Sequence, residues 1–63
     1  MKRLLRLPQV IERTGLAQST IYWMVAAGKF PRQIKISERS VAWLETDVSA
    51  WIDERVAQRD RGN

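Results

Sequence analysis

The side chains best suited to hydrogen-bonding a partner gather in one short stretch: Gln18, Ser19, Thr20 and Tyr22, with the large indole of Trp23 beside them. A glutamine amide offers donors on nitrogen and acceptor sites on oxygen, and a hydroxyl can do either. That chemistry reads polar edges; a glutamine, for example, pairs bidentately with adenine in a major groove. The 63 residues contain no His and no Cys. The commonest general base, the thiol nucleophile and the usual transition-metal ligands are therefore all missing. The composition argues against an enzyme, and neither a metal nor a cofactor is expected.

Charge gives the second constraint. The chain carries a net charge of +4, with a pI near 10.4, which fits nucleic acid or an anionic membrane equally well. Its distribution is uneven: through Arg39 there are eight cations against Glu12 and Glu38, and from Ser40 onward three against five carboxylates. The first two thirds, which include Lys29, Arg32, Lys35 and Arg39, are thus the part suited to a polyanion. No apolar run approaches the roughly 20 residues that cross a bilayer, and "MKRLLRL" lacks the longer apolar region and cleavage site of a signal peptide. A basic amphipathic membrane binder fits poorly, because the most amphipathic segment lies in the acidic third. The expectation is a cytoplasmic protein with no membrane partner.

The polar stretch must be held by helices. In "LPQVIERTG", Pro8 suits a first helical turn and Gly15 a left-handed cap, with Val10 and Ile11 facing inward. A second helix follows closely. Ile21, Met24 and Val25 fall at i, i+3 and i+4 and form its inward stripe, Leu16 packs from the turn, and Gln18, Ser19, Tyr22, Trp23 and Ala26 point outward or to the flanks. Gly28 caps this helix and Pro31 prevents it from resuming. Two short helices joined by a tight turn make either an ordinary helical hairpin or a helix-turn-helix whose second helix enters a major groove. The two helices alone do not decide between these.

Beyond Pro31 the period changes. "RQIKIS" alternates, with Ile34 and Ile36 on one face and Lys35 on the other; "SERS" is turn material and "VAWL" is strand-like. The hairpin is either a wing laying Lys35 and Arg39 on phosphates or a solvated hairpin whose charges guard an edge strand. "TDVSAWIDERVAQR" then places Val48, Trp51, Ile52 and Val56 on one helical face, and Trp43 and Trp51 are expected to meet in one core. A single domain with a core at about residues 6–57 follows, with residues 58–63 expected to be a flexible tail. The fold class is α+β and mostly α: helix, turn, recognition helix, β-hairpin wing, C-terminal helix, as in a small winged helix-turn-helix.

The separated motifs "RLPQV", "TGL…STIY", "AAGKFP" and "VAWLETDVSAWI" occur in that order over about residues 6–52. Together they resemble the AlpA-type prophage regulatory proteins, small relatives of excisionases and of the MerR DNA-binding head. The resemblance implies a winged helix-turn-helix that binds specific double-stranded DNA sites of a prophage or other mobile element, as transcription regulator, excision factor or both. It places the recognition helix at residues 17–27, with Ser19, Thr20 and Tyr22 reaching DNA, and the wing at residues 34–44, with Lys35 and Arg39 on phosphates. This chain departs from the family pattern at Ala17, where a capping Ser is usual, and at Gln18 and Trp23, where basic residues are frequent. Ser19 could replace the lost cap by starting the helix later. Trp23 is left with three roles: covering the first helix, touching DNA, or meeting a second protomer on DNA. The contrasting reading is a protein-interaction module that grips an integrase or a regulator through Trp23 and Trp51 without sequence-specific DNA binding.

Overall fold

The computed structural model describes residues 2–62. Its elements run β1 (Leu4–Leu5), α1 (Leu7–Thr14), α2 (Gln18–Ala26), β2 (Ile34–Ser37), β3 (Ser40–Leu44) and α3 (Glu45–Gly62). This is a mostly helical α+β fold with the element order of a winged helix-turn-helix. One strand was not expected: Leu4 and Leu5 pair antiparallel with Leu44 and Trp43, so the sheet has three strands in the order β1-β3-β2. The Glu45 N–H donating to the Arg3 carbonyl (2.8 Å) extends that pairing into the first residue of α3.

Local chemistry sets the helix ends. At the start of α1, the Arg6 N–H donates to Gln9 Oε1 (2.8 Å), which satisfies a donor that the helix itself leaves unpaired. Its end is closed by Gly15 at φ +73°, whose N–H donates to the Ile11 carbonyl (2.8 Å). The Thr14 hydroxyl donates to the Val10 carbonyl (2.8 Å) and accepts from the Leu16 N–H (3.2 Å), which stiffens the turn between the helices. Gly28, at φ +74°, ends α2, and the Lys29 N–H reaches back to the Met24 carbonyl (2.7 Å). Neither glycine faces a crowding atom, so the left-handed backbone is what each position requires.

Leu5, Val10, Ile21, Met24, Phe30, Trp43 and Val48 form the buried core, with Leu16, Val25, Trp51 and Ile52 packed against it. The inward stripes read from α1 and α2 are found there, and Trp43 and Trp51 do join one cluster, Trp43 at its centre and Trp51 half-buried at its margin. Two expectations need correcting. Val56 lies on the expected stripe of α3 but is 45% exposed and is not among the residues packed on the core. Ile34 and Ile36 are exposed as well; all of β2 lies outside the core, and a register shift between Lys35 and Ser37 breaks the simple alternation. Of the segment expected to be a tail, residues 58–62 continue α3, while Asn63 lies outside the described residues.

Candidate nucleic-acid interface

The surface of interest is built on α2. Gln18, Ser19 and Thr20 occupy its first turn and are exposed, and their side chains make no hydrogen bond among the described residues. Ala17 is the N-cap, with extended backbone and no side-chain cap bond. The suggested Ser19 cap is therefore corrected: Ser19 lies inside the first turn, and the Ile21 N–H is already bonded to the Ala17 carbonyl (3.0 Å). Ala17 offers no side-chain acceptor to the N-terminal backbone donors of α2, and its first turn contains no carboxylate.

The aromatic pair divides. Tyr22 is half-buried, packed on the core, with its ring edge-on to Trp43 at 6.0 Å. The expectation that its ring faces outward is thus revised, since the ring lies against Trp43; its hydroxyl is unbonded among the described residues. Trp23 is 62% exposed. The Lys29 ammonium sits 5.5 Å from the centre of its ring, an attraction of about 0.5–1 kcal/mol at an exposed site.

Lys29, Arg32, Lys35 and Arg39 occupy the stretch from the end of α2 to the hairpin tip; Lys29, Lys35 and Arg39 are exposed, and Arg32 lies in the connector. Among the described residues, Arg32, Lys35 and Arg39 have no ion-pair partner, and between Glu12 and Glu38 the chain contains no carboxylate. Three cations outside this stretch are paired with carboxylates: Arg13 with Glu45 (2.6 Å), Arg61 with Glu54 (2.9 Å) and Arg59 with Asp60 (2.9 Å). The hairpin and the connector leading to it thus carry cations without an ion-pair partner among the described residues, while α3 holds five carboxylates against three cations.

The connector is fixed by two side chains whose polar role the sequence did not reveal. Trp43 Nε1 donates to the Pro31 carbonyl (2.9 Å), and Trp51 Nε1 donates to the Lys29 carbonyl (2.9 Å). Phe30, between them, is buried and meets the Trp51 ring edge-on at 5.0 Å. The chain joining α2 to the hairpin is thereby tied to β3 and α3. Hydrogen bonds between positions 12 and 22 residues apart leave no local signature, so no pattern in the chain could have announced them. An open groove of about 470 Å³ between this connector and α3 has Phe30, Pro31 and Trp51 as apolar walls and Lys29 and Asp47 at its rim. Among the described residues no group of three or more His, Cys, Asp or Glu could hold a metal, and no helix is long and apolar enough to cross a membrane.

The sequence motifs implied a known family, and the comparison with known proteins bears on that family. The model of the family "Prophage CP4-57 regulatory protein (AlpA)" matches residues 3–56. The chain belongs to the AlpA family. Among its relatives, an uncharacterized protein, ORF88, of Enterobacteria phage P4 is 44% identical over 61 residues, covering 97% of this chain and 69% of its own. The DNA-binding transcriptional activator AlpA of Escherichia coli (strain K12) is 37% identical over 59 residues, covering 84% of each chain. The family is one of prophage regulatory proteins.

Proposed function

We propose that this AlpA-family protein is a cytoplasmic, sequence-specific DNA-binding regulator of transcription from a prophage or other mobile element. The observation that carries the reading is the exposed first turn of α2, Gln18, Ser19 and Thr20, whose side chains make no hydrogen bond among the described residues, with Arg32, Lys35 and Arg39, likewise without an ion-pair partner there, in the segments that follow. Polar side chains at the start of a helix are what reach base edges in a major groove, and unpaired cations are what hold phosphates. In this reading Gln18, Ser19 and Thr20 contact bases, the Tyr22 hydroxyl and Lys29 lie at the groove edge, and Arg32, Lys35 and Arg39 neutralise phosphates. The DNA-binding activator among its relatives supports the same assignment.

An excision-factor role uses the same DNA surface and differs only in where the site lies; self-association on DNA and contact with an integrase are compatible with it. The test is selection of duplexes from a random-sequence library by the full chain, then competition of the selected duplex against random DNA. Enrichment of one sequence, with binding at least about 10³-fold tighter than to random duplex, is expected for a specific regulator. Equal affinity for both, or no retention on DNA, would leave the protein-interaction reading in its place.

A further inference from the structure

Trp23 is the feature that hydrogen-bonding and charge leave unexplained. It is the most exposed of the large hydrophobic side chains, at 62%, and it lies on the helix that the proposed function places in the groove. Residues three and four apart share a helix face, so Ser19, Trp23 and Ala26 form one line along the outward side of α2, away from the buried Ile21 and Met24. Ala26 and Ala27 are small and exposed, and the Lys29 ammonium sits against the ring at 5.5 Å. The Lys29 backbone is itself held by the Trp51 indole. The unit is an apolar plate with a positive charge at its side and no carboxylate on its helix.

We propose that Trp23 reads thymine, by packing its indole against a thymine 5-methyl group in the major groove. This rests on the DNA-binding reading above and assigns one contact within it. The methyl is the apolar group that base edges present in that groove, so an indole brought there finds apolar surface to cover only at a thymine. The adjacent Lys29 charge favours an anionic partner, which a duplex supplies in its phosphates and a neutral protein surface does not. Trp23 is then a specificity-determining residue that acts through shape and burial, where Gln18 acts through hydrogen bonds.

The experiment uses the duplex selected by the parent protein, with each thymine in turn replaced by deoxyuridine, which removes the methyl and keeps the pairing. Losing one buried methyl is expected to weaken parent binding about fourfold at one position. Trp23→Ala should bind the thymine and uridine duplexes alike, with the parent's thermal transition, since an exposed side chain holds little of the fold. Trp23→Lys, restoring a side chain type frequent in the family, should also lose the thymine preference while gaining affinity for all duplexes. If no uridine substitution matters to the parent, or if Trp23→Ala keeps the preference, the inference is overturned while the DNA-binding reading stands. If Trp23→Ala leaves DNA binding intact but changes the sedimentation of the free protein, the indole faces a second copy and the inference is likewise overturned. If selection enriches no sequence at all, the DNA-reading proposal falls first and this one with it.

Discussion

Gln18 and Tyr22 sit four residues apart on α2, and the structure gives them different surroundings. Gln18 is exposed and makes no side-chain hydrogen bond among the described residues, so its amide is available for a base edge; Gln18→Ala is expected to cost about 1–3 kcal/mol at the preferred site and far less on random duplex. Parallel titrations against the two DNAs check this, and equal losses would show that Gln18 reads no base. Tyr22 carries a structural load and, at most, one polar contact. Tyr22→Ala should lower thermal stability by uncovering Trp43, whereas Tyr22→Phe should keep stability and weaken specific and random duplexes alike if the hydroxyl meets a phosphate. The inward stripe Ile21, Met24 was legible because helical spacing alone assigns a face. The fate of Tyr22 was not, because it lies on the flank of the helix, where the neighbouring β3 decides between solvent and core.

At the level of elements, the connector between α2 and the hairpin is where sequence and structure part. Pro31 and Gly28 announced that α2 must stop, but not that the indoles of Trp43 and Trp51 hold the chain that follows. The indole bond can be separated from ring packing. Trp51→Phe keeps an aromatic ring against Phe30 and removes the bond to the Lys29 carbonyl, at about 0.5–1.5 kcal/mol, while Trp43→Ala removes a fully buried ring at about 3–5 kcal/mol. The latter is enough to unfold a domain whose whole stability is about 5–15 kcal/mol or less, and thermal melts of both variants make the comparison. The N-terminus of α2 offers the opposite change. Ala17 caps without a side-chain bond, so Ala17→Ser should stabilise by about 1 kcal/mol, read as a raised melting temperature; an unchanged one would mean that solvent already serves those N–H groups as well. Strand β1 is hidden in the sequence because two residues cannot display an alternation; Leu4 and Leu5 are a strand only because β3 pairs with them. The length of α3 is hidden for a related reason. Arg59, Asp60 and Arg61 look like a solvated tail, yet Arg59 and Arg61 pair with carboxylates of the same helix, which runs on to Gly62.

Over the whole molecule, charge is sorted by position in the fold. Carboxylates are concentrated on α3, where Glu54 and Asp60 pair with cations of the same helix and Glu45 pairs with Arg13 of α1. The hairpin carries Lys35 and Arg39 with no ion-pair partner among the described residues, and it contributes no buried side chain through β2. Strand β2 thus does little for the core. Either the hairpin cations keep an exposed edge strand soluble or they meet phosphates, and the salt dependence of binding separates the two. If they only protect the edge, Lys35→Ala with Arg39→Ala leaves DNA affinity and its salt dependence where they were. If they neutralise phosphates, each cation releases about one counterion on binding, and the slope of log affinity against log salt falls by about 0.9 for every phosphate left without its cation. The second outcome is expected, because a stretch of chain free of carboxylates from Arg13 to Ser37 leads directly into this hairpin, while the compensated cations lie on the other elements. The double variant should weaken specific and random duplexes nearly alike, in contrast to Gln18→Ala, since phosphates carry no sequence. Titrations of parent and double variant at several salt concentrations decide it, and an unchanged slope would remove the hairpin from the DNA interface and leave α2 as the whole of it.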